Sequence, residues 1–312
     1  MASSSRKVIY AALLGNALIA VTKFGAASFT GSSAMLSEGI HSLVDTGNQV
    51  LLLHGLKQAQ KPPSAQFPFG HGKEVYFWCF IVAILIFALG AGISLYEGIR
   101  HVINPEPLQD PFINYIVLGL ALVFEGGAWY FALQEFSRAK GKWSYLDAVR
   151  REKDPTMFMV LFEDSAAVLG LLVAFIGIWL GQVTGILYFD GLASVLIGLI
   201  LGGTAMWLAY ETKGLLIGES ANQEVVQSIR LIAGIHEEID HVNEVLTMHM
   251  GPEFILVNLS VDFKDGISSE QVEQVIADVD QTIKYAHPRV KRIFIEAESR
   301  RQMYEGGSSQ VG

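Results

Sequence analysis

The sequence has a single cysteine, Cys79, in 312 residues. One thiol can form neither a disulfide within the chain nor a cysteine metal cluster, so both kinds of site are excluded. Basic residues are outnumbered by acidic ones and the net charge is −9, which argues against nucleic-acid binding. The sequence shows no nucleophile beside its base and no HExxH pattern, so enzymatic hydrolysis is not expected.

Long hydrophobic runs dominate the first two thirds of the chain. Hydrophobic residues make up 51% of the sequence and the mean hydropathy is positive, which is unusual for a water-soluble protein. A run of roughly 18 or more apolar residues can cross a bilayer as a helix. Six segments meet or approach this length: 8–29, 33–57, 74–99, 112–136, 156–181 and 187–210. The sequence predicts a six-helix membrane domain over 1–221, a small soluble domain over 222–300 and a disordered tail over 301–312.

Lysine and arginine fall in alternate gaps between these runs, and cytoplasmic loops carry such an excess of basic residues. The basic residues concerned are Arg6, Lys7, Lys57, Lys61, Lys73, Arg138, Lys140, Lys142, Arg150, Arg151 and Lys153. Both termini and the soluble domain are therefore expected in the cytoplasm. The chain starts without a presequence rich in Arg and Ser, which suggests a bacterial inner membrane rather than an organelle.

Ionisable residues interrupt the second and fifth runs, where they are costly and usually functional. In SEGIHSLVDTGNQ, His41 and Asp45 are four residues apart and share one face of a helix. In VLFEDSAAVLG, Glu163 and Asp164 supply two further carboxylates. Zn²⁺ takes nitrogen and oxygen ligands in a tetrahedron, so these residues predict a metal site between two spans. The alternative for His41 and Asp45 is a hydrogen bond to each other, or to a serine, that ties helices together. The second pair makes this less favourable, because buried carboxylates without a cation or protons repel each other strongly.

Three other charged residues lie in the predicted spans. Glu38 is three residues before His41 and is a candidate accessory ligand, although near a helix end it could equally be solvated. For Lys23 and Glu125, an ion pair or hydrogen bonds to Asn16 and to Ser or Thr hydroxyls are expected rather than metal binding. A charged lysine cannot ligate a cation.

Two glycine-containing segments lie at the cytoplasmic side. FPFGHGKE at 67–74 presents His71, a second candidate accessory ligand, although a lone histidine is more often a hydrogen-bonding loop residue. LLIGES at 215–220 follows the last span. Lys73 of the first segment and Glu219 of the second are expected to form a salt bridge at a hinge.

The soluble domain is predicted to have the order α-β-β-α-β. Residues 223–234 suit a helix, and two alternating runs follow it with a turn at Gly251 and Pro252. SSEQVEQVIADVDQTIKYA then has helical spacing after a serine cap, and RVKRIFIEAE alternates as a strand. This is a ferredoxin-like arrangement, and an open sheet edge on so small a domain favours pairing with a second copy.

These features together resemble the cation diffusion facilitator family. The resemblance rests on the six spans with their α-β-β-α-β tail, HSLVD at 41–45, FGHGK at 69–73, Asn16, Lys23, TGS at 30–32 and Asp190. It implies a homodimer that exports divalent metal in exchange for protons by alternating access. It also implies a four-residue site on the second and fifth spans, and His41, Asp45 and Asp164 fall on three of its four positions.

The fourth position departs from the family pattern, because Val160 stands one turn before Asp164. LFEDSAAVLG looks instead like the subgroup that includes the mitochondrial zinc transporter of animals, where Glu163 is the natural substitute; a water molecule is the alternative fourth ligand. Ser64 and Phe67 stand near His71 in place of companion ligands. In the tail, non-histidine residues occupy the family's metal-binding places, so tail metal binding is not expected. They are Asn243, Asn258, Glu296 and Glu298.

The function expected from the sequence is Zn²⁺/H⁺ antiport across a lipid bilayer, with the metal as cargo and no cofactor. Nitrogen and oxygen ligands also suit Mn²⁺, Fe²⁺, Co²⁺ or Ni²⁺. A membrane sensor or scaffold that binds metal without moving it is the alternative from another class. Ionisable groups in the membrane interior favour a transporter, because a sensor does not need them there.

Overall fold

The computed structural model describes residues 2–108, 110–140, 143 and 155–300. The tail predicted to be disordered, 301–312, lies outside them. The chain divides into two units, one of Met1–Gln58 with Val75–Lys213 and the other of Ala59–Glu74 with Gly214–Gly312.

The first unit is built from long helices. They are α1 (Ala2–Thr30), α2 (Ser33–Ala59), α3 (Glu74–Leu85), a π-helical segment (Ile86–Ala91), α4 (Gly92–Ile103), α5 (Pro111–Ala139), α6 (Pro155–Thr184) and α7 (Tyr188–Ile217). Helices α3 and α4 continue through the π-helical segment as one element. Such segments insert an extra residue into an α-helix and often lie near functional sites.

Four helical stretches in the described residues are long and apolar enough to cross a membrane. They are Glu74–Ile103, Pro111–Arg138, Phe158–Thr184 and Tyr188–Ile217. Helix α2 has 27 residues but carries Glu38, His41 and Asp45, which lower its hydropathy. Helix α1 has 29 residues and contains Lys23 at a fully buried position. The helical membrane character predicted from the sequence is therefore confirmed, with four spans supported by composition alone.

Glycine allows α4 and α7 to approach closely. A Cβ atom at Gly98 would lie 2.6 Å from the main-chain nitrogen of Val195, and one at Gly191 would lie 2.9 Å from that of Val102. Small residues at such crossings let helix backbones pack against each other within membranes, where apolar burial gives little driving force. The same contact positions the start of α7, and Asp190 with it.

The second unit contains α8 (Gln223–Gly234), β1 (Ile239–Gly251), β2 (Phe254–Phe263), α9 (Ser269–Ala286) and β3 (Val290–Ala297). The predicted order α-β-β-α-β is confirmed. The sheet order is β1-β2-β3, with β1 antiparallel and β3 parallel to β2. Alternate apolar residues of the central strand, including Val257 and Leu259, form a core with residues of both helices such as Ile229 and Ile283. The predicted serine cap is present at Ser268, in a reciprocal capping box.

The loop 59–74 packs within the second unit against the sheet. Gly72 lies against the main chain of Met250 and Gly251, so closely that a Cβ atom there would overlap the Met250 carbonyl oxygen. The Phe69 ring packs edge-on against Phe294 of β3 at 6.5 Å between centroids. The glycine is therefore required for contact between the loop and the β1–β2 turn.

Candidate metal site

A cavity of about 400 Å³ lies between α1, α2, α5 and α6. Four carboxylate residues line it: Asp45, Glu125, Glu163 and Asp164. The remaining lining residues are Asn16, Ile19, Ser42, Gln49, Phe124, Ala128, Ala132, Val160 and Ala167. A mostly apolar helix bundle with several carboxylates around one cavity suits a bound cation, because the ion offsets their mutual repulsion.

Helix α2 places His41 beside Asp45, one turn apart as the spacing predicts. The Nδ1 atom of His41 lies 3.2 Å from Oδ1 of Asp45. The geometry is not that of a hydrogen bond, and both ring nitrogens of His41 are buried without a hydrogen-bond partner among the described residues. Unpaired buried nitrogens are costly, and a cation or proton would satisfy them. His41 is not among the described residues that line the cavity.

Helix α6 brings both of its acidic residues to the cavity, although adjacent helix positions diverge by about 100°. Glu163 is 5% exposed, and its Oε1 accepts a hydrogen bond of 2.6 Å from the side-chain amide of Asn48 on α2. Asp45 lines the same cavity as Glu163. Carboxylates that share one apolar cavity repel each other, and a proton on one of them relieves the repulsion. Protons can therefore occupy the place where the predicted metal would bind.

A fully buried lysine adjoins this cavity. The Nζ atom of Lys23 donates to Glu125 at 2.8 Å, to Ser42 at 2.8 Å and to Glu38 at 3.0 Å. An ammonium has three donors, and all three are used. The ion pair expected for Lys23 and Glu125 is confirmed, whereas Glu38, the candidate accessory ligand, is fully buried as the second partner of Lys23.

In the described part of the chain, no three His, Cys, Asp or Glu side chains converge closely enough to hold a metal ion. The structure gathers Asp45, Glu163 and Asp164 at one cavity, with His41 beside Asp45. The four-residue metal site stays a prediction, and convergence of these side chains requires a further movement.

The remaining predicted site residues lie in the second unit. The His71 ring packs on Phe67 at 4.6 Å between centroids, and its Nδ1 has no hydrogen-bond partner among the described residues. The Lys73 Nζ atom is 3.8 Å from the sulfur of Met248. The salt bridge between Lys73 and Glu219 stays a prediction, as does metal binding by His71.

Sequence reasoning missed two residues at this site. Asn48 donates a hydrogen bond to Glu163. Its position seven residues after His41, on the same face of α2, is the sequence feature that could have indicated it. Glu125 lines the cavity as well as pairing with Lys23. The sequence predicts its pairing with Lys23 but not its place at the cavity, because no local pattern relates α5 to the two helices of the predicted site.

Comparison with known proteins agrees with this architecture. The sequence model of the cation efflux transmembrane domain matches residues 9–217. The proton-coupled zinc antiporter SLC30A9, mitochondrial, of Xenopus laevis is 33% identical over 285 residues, covering 88% of this chain and 51% of that protein. Metal tolerance protein C4 of Arabidopsis thaliana is 28% identical over 83% of this chain and 57% of its own length. The cation-efflux pump FieF of Klebsiella pneumoniae is 26% identical over 91% of this chain and 89% of its own. The chain thus spans about half the length of the first of these relatives.

Proposed function

Because the chain belongs to the cation efflux family, a family of divalent-cation transporters in membranes, we propose that it exports Zn²⁺ in exchange for protons. The observation that carries the proposal is the cavity lined by Asp45, Glu163 and Asp164 with His41 beside it. Imidazole and carboxylate are ligands that Zn²⁺ accepts. The similarity to proteins named proton-coupled zinc antiporters supports zinc as the ion.

Proton exchange follows from the chemistry of these ligands. Metal binds only to neutral imidazole and to ionised carboxylates, so binding releases protons and proton uptake releases metal. The presence of Asp45, Glu163 and Asp164 around one cavity supports this account, because protons can relieve their mutual repulsion when no metal is bound. A cavity that opens to each side of the membrane in turn would then exchange metal for protons.

We further propose that all six long helices of the first unit cross the membrane. Helices α1 and α2 are long enough to cross it, and their buried polar residues contact other helices rather than lipid. Lys23 and Asn48 illustrate this, since their partners lie on other helices. An even number of spans, and basic residues in alternate gaps between them, support a cytoplasmic position for both termini. The ferredoxin-like second unit would pair there with that of a second copy.

Reconstituted vesicles test the proposal. The full chain in proteoliposomes should accumulate Zn²⁺, and Asp164→Asn should abolish accumulation while retaining the elution profile of the folded protein. Parallel assays with Mn²⁺, Fe²⁺, Co²⁺ and Ni²⁺ identify the cargo, and faster uptake of one of these would replace zinc. Metal binding without uptake of any of the five ions would instead indicate a sensor or scaffold.

A further inference from the structure

Glu125 brings a third helix to the metal cavity. It lies on α5 and lines the cavity together with Asp45, Glu163 and Asp164, whereas the proposed site uses α2 and α6 alone. We propose that Glu125 is a ligand of the transported cation, supplying an oxygen that the chain lacks at Val160. The inference rests on the proposed function and extends it to one more residue.

The two oxygens of Glu125 differ in their surroundings. Oε1 accepts a hydrogen bond of 2.8 Å from the Lys23 ammonium, which fixes the side chain. Oε2 is buried and has no hydrogen-bond partner among the described residues. A buried carboxylate oxygen normally has a partner, because leaving it without one is costly. The free oxygen of Glu125 is therefore available to a cation in the cavity while Lys23 holds the other.

Val160 explains why such an oxygen is needed. Val160 lines the cavity one turn before Asp164 and offers no ligand atom. Zn²⁺ prefers four ligands, and harder ions such as Mn²⁺ favour carboxylate oxygen. A carboxylate from α5 can complete a group of four metal ligands whose other members lie on α2 and α6.

The charge around the cavity also indicates a missing cation. Asp45, Glu163, Asp164 and Glu125 all line this cavity, and their carboxylates repel one another when ionised. The single positive charge of Lys23 is shared between Glu125 and Glu38, so it does not offset the charges of the other three carboxylates. His41, on the same helix as Asp45, is 1% exposed and has two ring nitrogens without a hydrogen-bond partner among the described residues. A divalent ion in the cavity would offset the surplus negative charge, and a movement that brings His41 to the ion would also satisfy one of these nitrogens.

Glu38 provides a matched control. It bonds the same ammonium at 3.0 Å and is fully buried, but it is not among the described residues that line the cavity. If Glu125 served only to pair Lys23, then neutralising either glutamate would have the same effect. If Glu125 binds the cation, its neutralisation must weaken metal binding more.

The experiment is Zn²⁺ titration of the purified full chain in detergent against a competing chelator. Binding to the cavity is defined as the component that Asp164→Asn removes. We expect Glu125→Gln to weaken this component about tenfold or more, and Glu38→Gln to weaken it less than about threefold. If a glutamine variant does not fold, Glu125→Asp and Glu38→Asp replace the pair. They keep the negative charge but shorten the side chain, and Glu125→Asp should again weaken Zn²⁺ binding more than Glu38→Asp.

Equal affinities for Glu125→Gln and Glu38→Gln, or wild-type affinity in Glu125→Gln, would overturn the inference and leave the proposed function intact. A wild-type chain that binds no Zn²⁺ in the cavity would overturn the two together. The outcomes are distinguishable because wild type and Asp164→Asn are measured in the same series.

Discussion

The carboxylate of Asp190 on α7 caps the start of α2 at Ser33. Its Oδ2 accepts hydrogen bonds from the main-chain nitrogen of Ser33 at 2.6 Å and from the hydroxyl of Ser33 at 2.9 Å, although the two residues are 157 positions apart. The hydroxyl of Ser32 donates to Oδ1. The first N–H groups of a helix have no partner within it, and a negative charge at that end is favourable. Asp190 thereby fixes the helix that carries His41 and Asp45.

Removing this cap should destabilise the protein. We expect Asp190→Ala to lower the free energy of unfolding by about 2–3 kcal/mol, because buried N–H and hydroxyl donors lose a charged acceptor. Asp190→Asn should lose less, since its amide oxygen can still accept from Ser33. Thermal unfolding of the detergent-solubilised chain measures both, and Glu106→Ala, at an exposed position, is the control. A wild-type melting temperature in Asp190→Ala would disprove the cap.

The three residues that define the proposed site should be essential for transport. Asp45→Asn and Asp164→Asn are expected to abolish metal uptake, because each replaces a carboxylate ligand by an amide. His41→Ala should abolish uptake or change which metal is carried, since an imidazole nitrogen favours zinc over harder ions. Uptake assays on vesicles carrying matched amounts of protein measure these effects. Normal uptake by Asp164→Asn would refute the site.

Glu163→Gln separates Glu163 from the other candidates for the fourth ligand, which are water and Glu125. If Glu163 binds the ion, the variant should lose affinity for Zn²⁺ by about tenfold or more while remaining folded. If water or Glu125 completes the shell without Glu163, affinity and transport should stay near normal. Asn48→Ala is the companion variant, because it removes the hydrogen bond to Glu163 without touching a carboxylate. Zinc titration and vesicle uptake on both variants distinguish the two arrangements.

The second unit could be anticipated well from local patterns. The helix at 223–234, the turn after Gly251 and the Ser268 cap all follow from spacing and turn chemistry, and the structure has each of them. The site was only partly foreseeable. Spacing along one helix links His41 to Asp45, but nothing local links Lys23 to Glu125, which are 102 positions apart. Contacts of this kind depend on how helices pack together, which a single sequence does not express.

Gly72 should be intolerant of substitution. In Gly72→Ala the added methyl would overlap the Met250 carbonyl oxygen, and the resulting strain should cost about 1–3 kcal/mol. Hydrogen exchange of main-chain amides in the loop 59–74 and at the β1–β2 turn should accelerate. Gly234→Ala is the control, because its methyl would lie 4.0 Å from Val242, an ordinary contact. Equal exchange in the two variants would show that the loop does not depend on this approach.

Proton exchange is the central claim, and vesicles that report internal pH test it most directly. Proteoliposomes with an acidic interior should take up external Zn²⁺ faster than vesicles without a gradient, because protons displace metal from the carboxylates and from His41 on the acidic side. Their internal pH should rise in step with zinc uptake, and Asp164→Asn should show neither change. Zinc uptake at a rate indifferent to the imposed gradient, with no counterflow of protons, would contradict the mechanism.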